Sequence, residues 1–498
     1  MNRLPFFIDQ SCAATKASII YKKIRFILIL IAGFFSASIQ AQQEDNHVIP
    51  ATSEKSEFHS DSNHTYKNVA DFFRKGEFEG HGRYFFMATD NSHGLTDSHA
   101  HAFGMGIGYS SPQFYGFTIT MSGFFIYNLN SSNLAAKDPI TGQRNRYEIG
   151  LFDVQNPHNH HDLDRLEDLN IQYKYKGLKL KFGKQHINSV FINPQDGRMR
   201  PTLVEGITGT FSSGNHLKFH GGWLYGASPR STVKWFQIGN SVGIYPEGLS
   251  ADGSPSQYSQ QVKSKWLHYA GIEYKPVKSV RLFLWNQYFE NVNNTMMFQP
   301  EWTIKAEKTE LFLGAQYIRQ NTLGDGGNRE ASLRYAEKGS YVDIFGGRLE
   351  YRKPNRWAIQ LNYTNIGSTG RFLMPREWGR DPFFTFMPRE RNEGYGDIKA
   401  INLVLSAQHK KLPLFARVGA GRYDLPDPKN ASLNKYGFPS YYHYIAEVKF
   451  KPKGFMEGLE LMLLTVYKKG LGETGGNLKY VYNKVDLFNY NLIVQYSF

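Results

Sequence analysis

The sequence predicts an all-β fold: a transmembrane, antiparallel, up-and-down β-barrel of eighteen strands, with short periplasmic turns and long external loops. Three observations predict it. The C-terminal segment alternates apolar with mostly polar residues and stops on an aromatic; similar segments follow one another along most of the chain, joined by connections that are by turns short and long; and the composition combines many aromatics with low hydropathy.

The C-terminal segment runs Leu487-Phe488-Asn489-Tyr490-Asn491-Leu492-Ile493-Val494-Gln495-Tyr496-Ser497-Phe498. Successive side chains on a strand point to opposite faces. Phe488, Tyr490, Leu492, Val494, Tyr496 and Phe498 are therefore expected to face lipid, with Asn489, Asn491, Gln495 and Ser497 facing a wet interior, the sidedness a transmembrane barrel requires. A terminal Phe closing such a strand resembles the signal that bacterial outer-membrane proteins present to their barrel-assembly machinery.

Strands are expected near 77–90, 99–111, 113–129, 165–176, 177–187, 203–213, 215–227, 264–276, 278–291, 293–305, 308–322, 339–353, 355–367, 396–410, 411–424, 440–452, 456–470 and 484–498. The short turns carry Ser-Pro, Ser-Gly-Asn and Lys-Pro chemistry, and Pro belongs there because it cannot donate to a ladder. The long connections, near 130–164, 188–202, 228–263, 323–338, 368–395, 425–439 and 471–483, are rich in Gly, Asn, Asp, Pro and Arg. They are expected outside the cell or folded into the pore. Sidedness is clean in Asp168, Asn170, Gln172 and Lys174 against Leu169, Ile171, Tyr173 and Tyr175. It recurs in Arg356, Gln360, Asn362 and Thr364 against Trp357, Ile359, Leu361 and Tyr363, and is ambiguous in 215–227 and 456–470.

At the other end, Lys16, Lys22, Lys23 and Arg25 precede the ten-residue apolar run Phe26–Phe35 and small residues up to Ala41. This reads as a secretory signal peptide over 1–41, too short to span a bilayer, which takes about twenty residues. Residues 42–76 read as polar and patternless, a flexible periplasmic leader, leaving 77–498 as the barrel domain. The single cysteine, Cys12, falls in the signal, which excludes thiol chemistry in the mature chain. Aromatics make up 15% of the chain, yet mean hydropathy is −0.47, far too polar for a bundle of membrane helices. The net charge of +14 would fall by four with the signal and stay basic. No basic tract concentrates that charge, so a nucleic-acid partner is not expected, and an anion-attracting pore lining fits better.

Basic side chains gather along one stretch of wall. Arg348, Glu350 and Arg352 share one side of a strand, and a turn at 353–355 is expected to set Arg356 opposite Arg352. At about 3.3 Å per residue, Arg348 and Arg352 lie roughly 13 Å apart, so a carboxylate can pass between guanidiniums, held bidentately without being trapped. Arg417, Lys179 and Lys181 are further wall candidates. The plainer reading is that these cations solvate the lumen or neutralise acids such as Glu350. The connection 368–395 interleaves Arg371, Arg376, Arg380, Arg389 and Arg391 with Glu377, Asp381, Glu390 and Glu393, among Trp378, Phe383, Phe384 and Phe386. It reads either as a vestibule lining or as surface ion pairs and lipopolysaccharide contacts. His158, His160, His161, Asp162 and Asp164 lack the spacing of a closed zinc site and read as a solvated loop. No cofactor, metal or hydrolytic motif stands out, and no enzyme is expected.

Four segments resemble the OprD-type substrate-selective outer-membrane porins: Gly80-His81-Gly82-Arg83-Tyr84-Phe85-Phe86-Met87-Ala88-Thr89-Asp90-Asn91, Tyr147-Glu148-Ile149-Gly150-Leu151-Phe152-Asp153, Asp162-Leu163-Asp164-Arg165-Leu166 and, above all, Phe191-Ile192-Asn193-Pro194-Gln195-Asp196-Gly197-Arg198-Met199-Arg200-Pro201-Thr202. The resemblance implies an eighteen-stranded barrel in the bacterial outer membrane, an eyelet made by inward-folded loops and a ladder of basic side chains. By position it places Asp196, Arg198 and Arg200 on the narrowing third external loop.

The function expected is passive, substrate-selective diffusion of small carboxylate-bearing solutes (amino acids, small organic acids or short peptides). The substrate-binding candidates are Arg348, Arg352, Arg356, Arg417, Asp196, Arg198 and Arg200, and the partners expected are those solutes, outer-membrane lipid and lipopolysaccharide, and the assembly machinery through Phe498. A barrel enzyme or a surface-binding adhesin is the alternative. An energy-coupled receptor is disfavoured, because about 35 residues before the first strand cannot supply a plug domain.

Overall fold

The computed structural model describes residues 68–194, 198–409, 411–472 and 474–498, so the expected signal peptide and most of the expected leader lie outside the described residues. After a short helix α1 (Val69–Arg74), the wall is built of β1 (Glu77–Asp90), β2 (Ser98–Ser110), β3 (Phe117–Ser131), β4 (Asp164–Tyr175), β5 (Leu178–Gln185), β6 (Leu203–Ser213), β7 (Leu217–Ser228), β8 (Leu267–Val277), β9 (Val280–Phe289), β10 (Asn293–Lys305), β11 (Glu310–Thr322), β12 (Tyr341–Lys353), β13 (Trp357–Ile366), β14 (Ile398–Gln408), β15 (Leu414–Asp424), β16 (Tyr441–Phe450), β17 (Leu459–Gly470) and β18 (Leu487–Ser497). Each strand pairs antiparallel with its neighbours in sequence, and β1 pairs with β18 from His81–Ser497 to Asp90–Phe488, closing an eighteen-stranded barrel without edges. One two-residue strand, Phe236–Gln237, adds only to the top of β7.

The expected strands all form, and the connections alternate as the sequence suggested, with two exceptions on the external side. The first external loop, 91–97, and the fifth, 290–292, are short. The outward residues form an exposed apolar belt, including Met105, Ile107, Leu169, Ile171, Phe182, Leu284, Phe298, Leu349, Leu361 and Leu403. That belt is what lipid must cover. Among the described residues no helix is long and apolar enough to cross a membrane; the strands make the crossing.

The interior departs from a uniformly polar lining. Toward the external ends of the strands the inward residues are apolar and buried: Phe85 and Met87, Val342 and Ile344, Ile366, Ile398 and Ala400. They pack into one apolar core with loop residues such as Phe191, Ile238, Val262, Phe372, Trp378, Phe383 and Phe438, or, for Phe85, Met87 and Ala100, with Tyr147, Leu151 and Met199. The external loops thus fold inward and bury their own apolar surface against the wall, the term that dominates folding elsewhere. This also explains the ambiguity of β17, whose inward face carries Leu464 and Val466 before Lys468.

A β-bulge sets the inner face of β4. The register slips between Ser122–Asp168 and Gly123–Leu166, so the extra residue, Glu167, turns inward beside Arg165 while Asp168 and Asn170 below it also face the lumen.

Candidate functional site

The seventh external loop, 367–397, crosses the lumen as a chord. On one side it is held by the inner wall of β11 to β14: the Gln320 amide donates to the Leu373 carbonyl at 2.9 Å, Gln316 to that of Pro382 at 3.2 Å, Arg348 to that of Phe384 at 3.1 Å and Asn402 to that of Thr385 at 2.8 Å. On the far side Arg389 donates to Asn489, at 3.0 Å, and to Asn491 on β18, seven strands from β11. The wall makes room for it: a Cβ on Gly314 would sit 2.9 Å from the Phe384 ring, and one on Gly419 would sit 3.0 Å from the Met387 sulfur.

The third loop docks on the seventh. Asn193 donates from its backbone to the Trp378 carbonyl at 2.9 Å and from its amide to the Arg380 carbonyl at 2.9 Å, and accepts from the Arg380 backbone at 3.0 Å. Thr202 donates to the Glu377 carbonyl. The fourth loop joins through Arg230, which donates to the Arg376 carbonyl at 3.1 Å and lies 5.3 Å from the Tyr245 ring centroid. Trp378, fully buried, donates to Ser241 at 2.8 Å. Three loops thereby form one hydrogen-bonded narrowing inside the barrel.

This narrowing is strongly cationic. Burial, and then the like charge of Arg391, push the Arg230 guanidinium well below its ordinary value, with Arg198 adding to the effect. Arg391 is lowered to about 10 by burial and by Arg376. Arg380 is pushed down by burial and by Arg417. Among the described residues no carboxylate lies within 4 Å of the Arg380 guanidinium, which is half-buried against Phe386. The acids of the loop are placed differently. Asp381 is buried, accepts the Asn392 N–H at 2.8 Å through one oxygen and leaves the other without a hydrogen bond among the described residues. Burial raises its carboxyl to about 7. Glu390, although burial opposes it, is held well below the carboxylate range by Arg146, Lys468 and Arg376, with Arg146 at 3.1 Å and Lys468 at 3.0 Å. Glu393 is paired with Arg376.

The wall candidates are mostly paired. Arg352 sits between Glu310, at 2.8 Å, and Glu350, at 3.0 Å, and Arg417 bonds Glu447 at 2.7 Å. Arg348 donates to Asn362 at 2.6 Å and stacks over Phe384 at 4.8 Å, bracing the seventh loop. Arg356 is not opposite Arg352. The register pairs Arg352 with Ala358 and Lys353 with Trp357, because the turn runs one residue further, with Asn355 at φ 59° and Arg356 bonded back to the Lys353 carbonyl at 3.0 Å. Lys181 faces inward, and Lys179 lies nearer the turn.

In the third loop Asp196 lies outside the described residues. Arg198 is buried, accepts Arg83 through its carbonyl at 2.8 Å, and occupies the space above Gly150, where a Cβ would collide with its Nε. Arg200 is tied to the inner wall: it pairs with Glu167, meets His81 Nε2 at 2.7 Å and lies 4.1 Å over the Phe124 ring. The bulge that turns Glu167 inward is what captures it. Sequence reasoning missed Arg230, in a stretch, Ser228-Pro229-Arg230-Ser231, that carries no periodic or motif signal. The segment 158–163 is a loop and Asp164 opens β4, and among the described residues no three His, Cys, Asp or Glu side chains gather to hold a metal.

The fold has many solved counterparts. OpdK of Pseudomonas aeruginosa, crystallised with vanillate, superposes with a TM-score of 0.65 at 14% identity over 86% of this chain and 99% of its own. OccD3 (OpdP) of the same species gives 0.64 at 14% over 86% and 92%, and OccAB3 of Acinetobacter baumannii 0.65 at 14% over 85% and 99%. No curated protein matches the sequence. The sequence model of the outer membrane porin, OprD family, matches residues 70–339, more than half of the chain. With an eighteen-stranded cylinder, a lipid-facing belt and a loop-built narrowing, the chain belongs to the OprD family of bacterial outer membrane porins.

Proposed function

We propose that this porin passes small carboxylate-bearing solutes, such as amino acids, small organic acids or short peptides, down their concentration gradient, selecting them at the junction of the third, fourth and seventh loops. The observation that carries the reading is Arg380: an arginine in the narrowing without a carboxylate partner among the described residues, in the field of Arg417 and Arg348. A fixed cation with no carboxylate in contact attracts an anion, while low-dielectric walls raise its local concentration. A carboxylate that leaves Arg380 meets Arg348, Arg352 and Arg417, already engaged by Asn362, Glu350 and Glu447, so binding there stays weak enough for release. Arg198 and Arg230 supply positive field on the facing side. Vanillate, present in the OpdK crystal, is a carboxylate of the size this reading admits.

In the same reading residues 1–41 direct export and are removed, Phe498 addresses the assembly machinery, and the external rim meets lipopolysaccharide. Planar-bilayer recordings test the central claim. Anion preference and concentration-dependent block by small organic acids are expected; strong cation preference without block by any of them would refute it. Solute swelling of liposomes with amino acids, dicarboxylates and sugars would rank the substrates.

A further inference from the structure

The N-terminal helix stands outside the lumen. Asn68 caps α1 by accepting the Asp71 N–H at 2.9 Å, and none of the helix residues is buried: Val69 is 72% and Phe73 45% exposed. Six residues cannot hold a helix alone, so its seat holds it. The seat is Tyr109, whose hydroxyl donates to the Phe73 carbonyl at 2.8 Å with the rings 6.3 Å apart, while Phe72 meets Phe114 edge-on at 5.9 Å. Tyr109 continues the outward row of Met105 and Ile107 on β2 and stands beside Phe78, its partner on β1. The chain between helix and strand is pressed against the same ring, since a Cβ on Gly76 would run into it. The helix is therefore on the outer wall at the periplasmic rim.

Around it large apolar residues are open: Phe78 at 69%, Phe114 at 51% and Tyr115 at 85%. A cluster of this kind marks a contact surface, and it runs without a break into the belt that lipid covers. Aromatic side chains concentrate at the level of the lipid headgroups, and Arg74 and Lys75, both exposed, suit anionic headgroups beside them. We infer that α1 and the rings beneath it form a foot that beds into the phospholipid leaflet facing the periplasm.

Spin labels test this on the full chain with Cys12→Ser, reconstituted in phosphatidylethanolamine and phosphatidylglycerol liposomes. Labels at Val69→Cys and Phe73→Cys are expected to be relaxed several-fold more by oxygen than by a water-soluble nickel chelate, as at the lipid-facing control Ile107→Cys and opposite to the loop control His160→Cys. Greater relaxation by nickel would place the foot in water, and protection from both relaxants would mean that protein covers it; either result overturns the inference. Tyr109→Ser is expected to raise label mobility at Phe73→Cys while the label at Ile107→Cys is unchanged, and an unaltered spectrum would refute the seat.

Discussion

Phe498 and Gly80 exchange both of their backbone hydrogen bonds, each at 2.9 Å, and the Phe498 ring lies where a side chain on Gly80 would have to go. This pair is the last rung of the β1–β18 seam. The terminal residue that the sequence reading assigns to assembly is therefore also a structural lock of the finished barrel.

Gly80→Val is expected to unseat the ring and weaken both bonds. At about 1 kcal/mol for each hydrogen bond, the loss is about 2 kcal/mol, read as a lower unfolding temperature in heat-modifiable gel migration with unchanged conductance of the folded fraction. Removal of Phe498 should give the same shift and, in addition, a smaller folded fraction in cells. An equal folded fraction would confine the residue to the seam.

Arg380→Ala is expected to lower the anion-to-cation permeability ratio several-fold in bilayers at low salt, and Arg380→Glu to lower it further. Stability should hardly change, because no carboxylate partner is lost. Arg352→Ala should behave in the opposite way: it leaves Glu310 and Glu350 without their shared cation and is expected to cost about 1–3 kcal/mol, with the larger drop in unfolding temperature of the two variants.

Anion preference should depend on pH through Asp381. Its carboxyl is raised by burial to about 7, against the Asn392 N–H and the charges of Arg391 and Arg380, with Glu393 adding to the rise. The folded chain keeps a proton between about pH 4 and 7 that the unfolded chain has released, so this group's contribution to stability falls as pH rises through that window and is constant above it. Below 7 the acid is neutral and its negative charge beside Arg380 and Arg391 is withdrawn. Reversal potentials should show stronger anion preference at pH 6 than at pH 8, and Asp381→Asn should remove the difference.

Gly314→Leu and Gly419→Leu are expected to lift the seventh loop from the wall, because Phe384 and Met387 fill those places. Single-channel records should show larger and noisier openings than the parent. Leucine at Gly347, which faces lipid on β12, is the control for added bulk and should leave the trace unchanged.

Strand positions and sidedness were legible because period-two patterning is local, and the density of arginine, acid and aromatic residues in 368–395 set apart the loop that folds across the lumen. Its fate was not legible: Trp378 is buried through Ser241, more than a hundred residues away, and no local pattern encodes such a partner. Arg356 was misplaced because the three-residue turn sits one position further along the chain, which in a hairpin shifts every cross-strand partner by two. The partner of Arg200 was not legible either: an added residue in β4 turns Glu167 toward it, and a bulge leaves no reliable trace in composition. The apolar upper storey of the wall does leave one, since alternation fades near Val342 and Ile344.

The glycine seats under the seventh loop have a further consequence. The cylinder draws its durability from ladder bonds and the seam, whereas on the proposed reading discrimination lies in three inserted loops, of which the seventh is an insert resting on vacated wall positions. Selection can therefore rewrite that insert's charges to admit new nutrients without renegotiating how the protein is exported, closed or embedded.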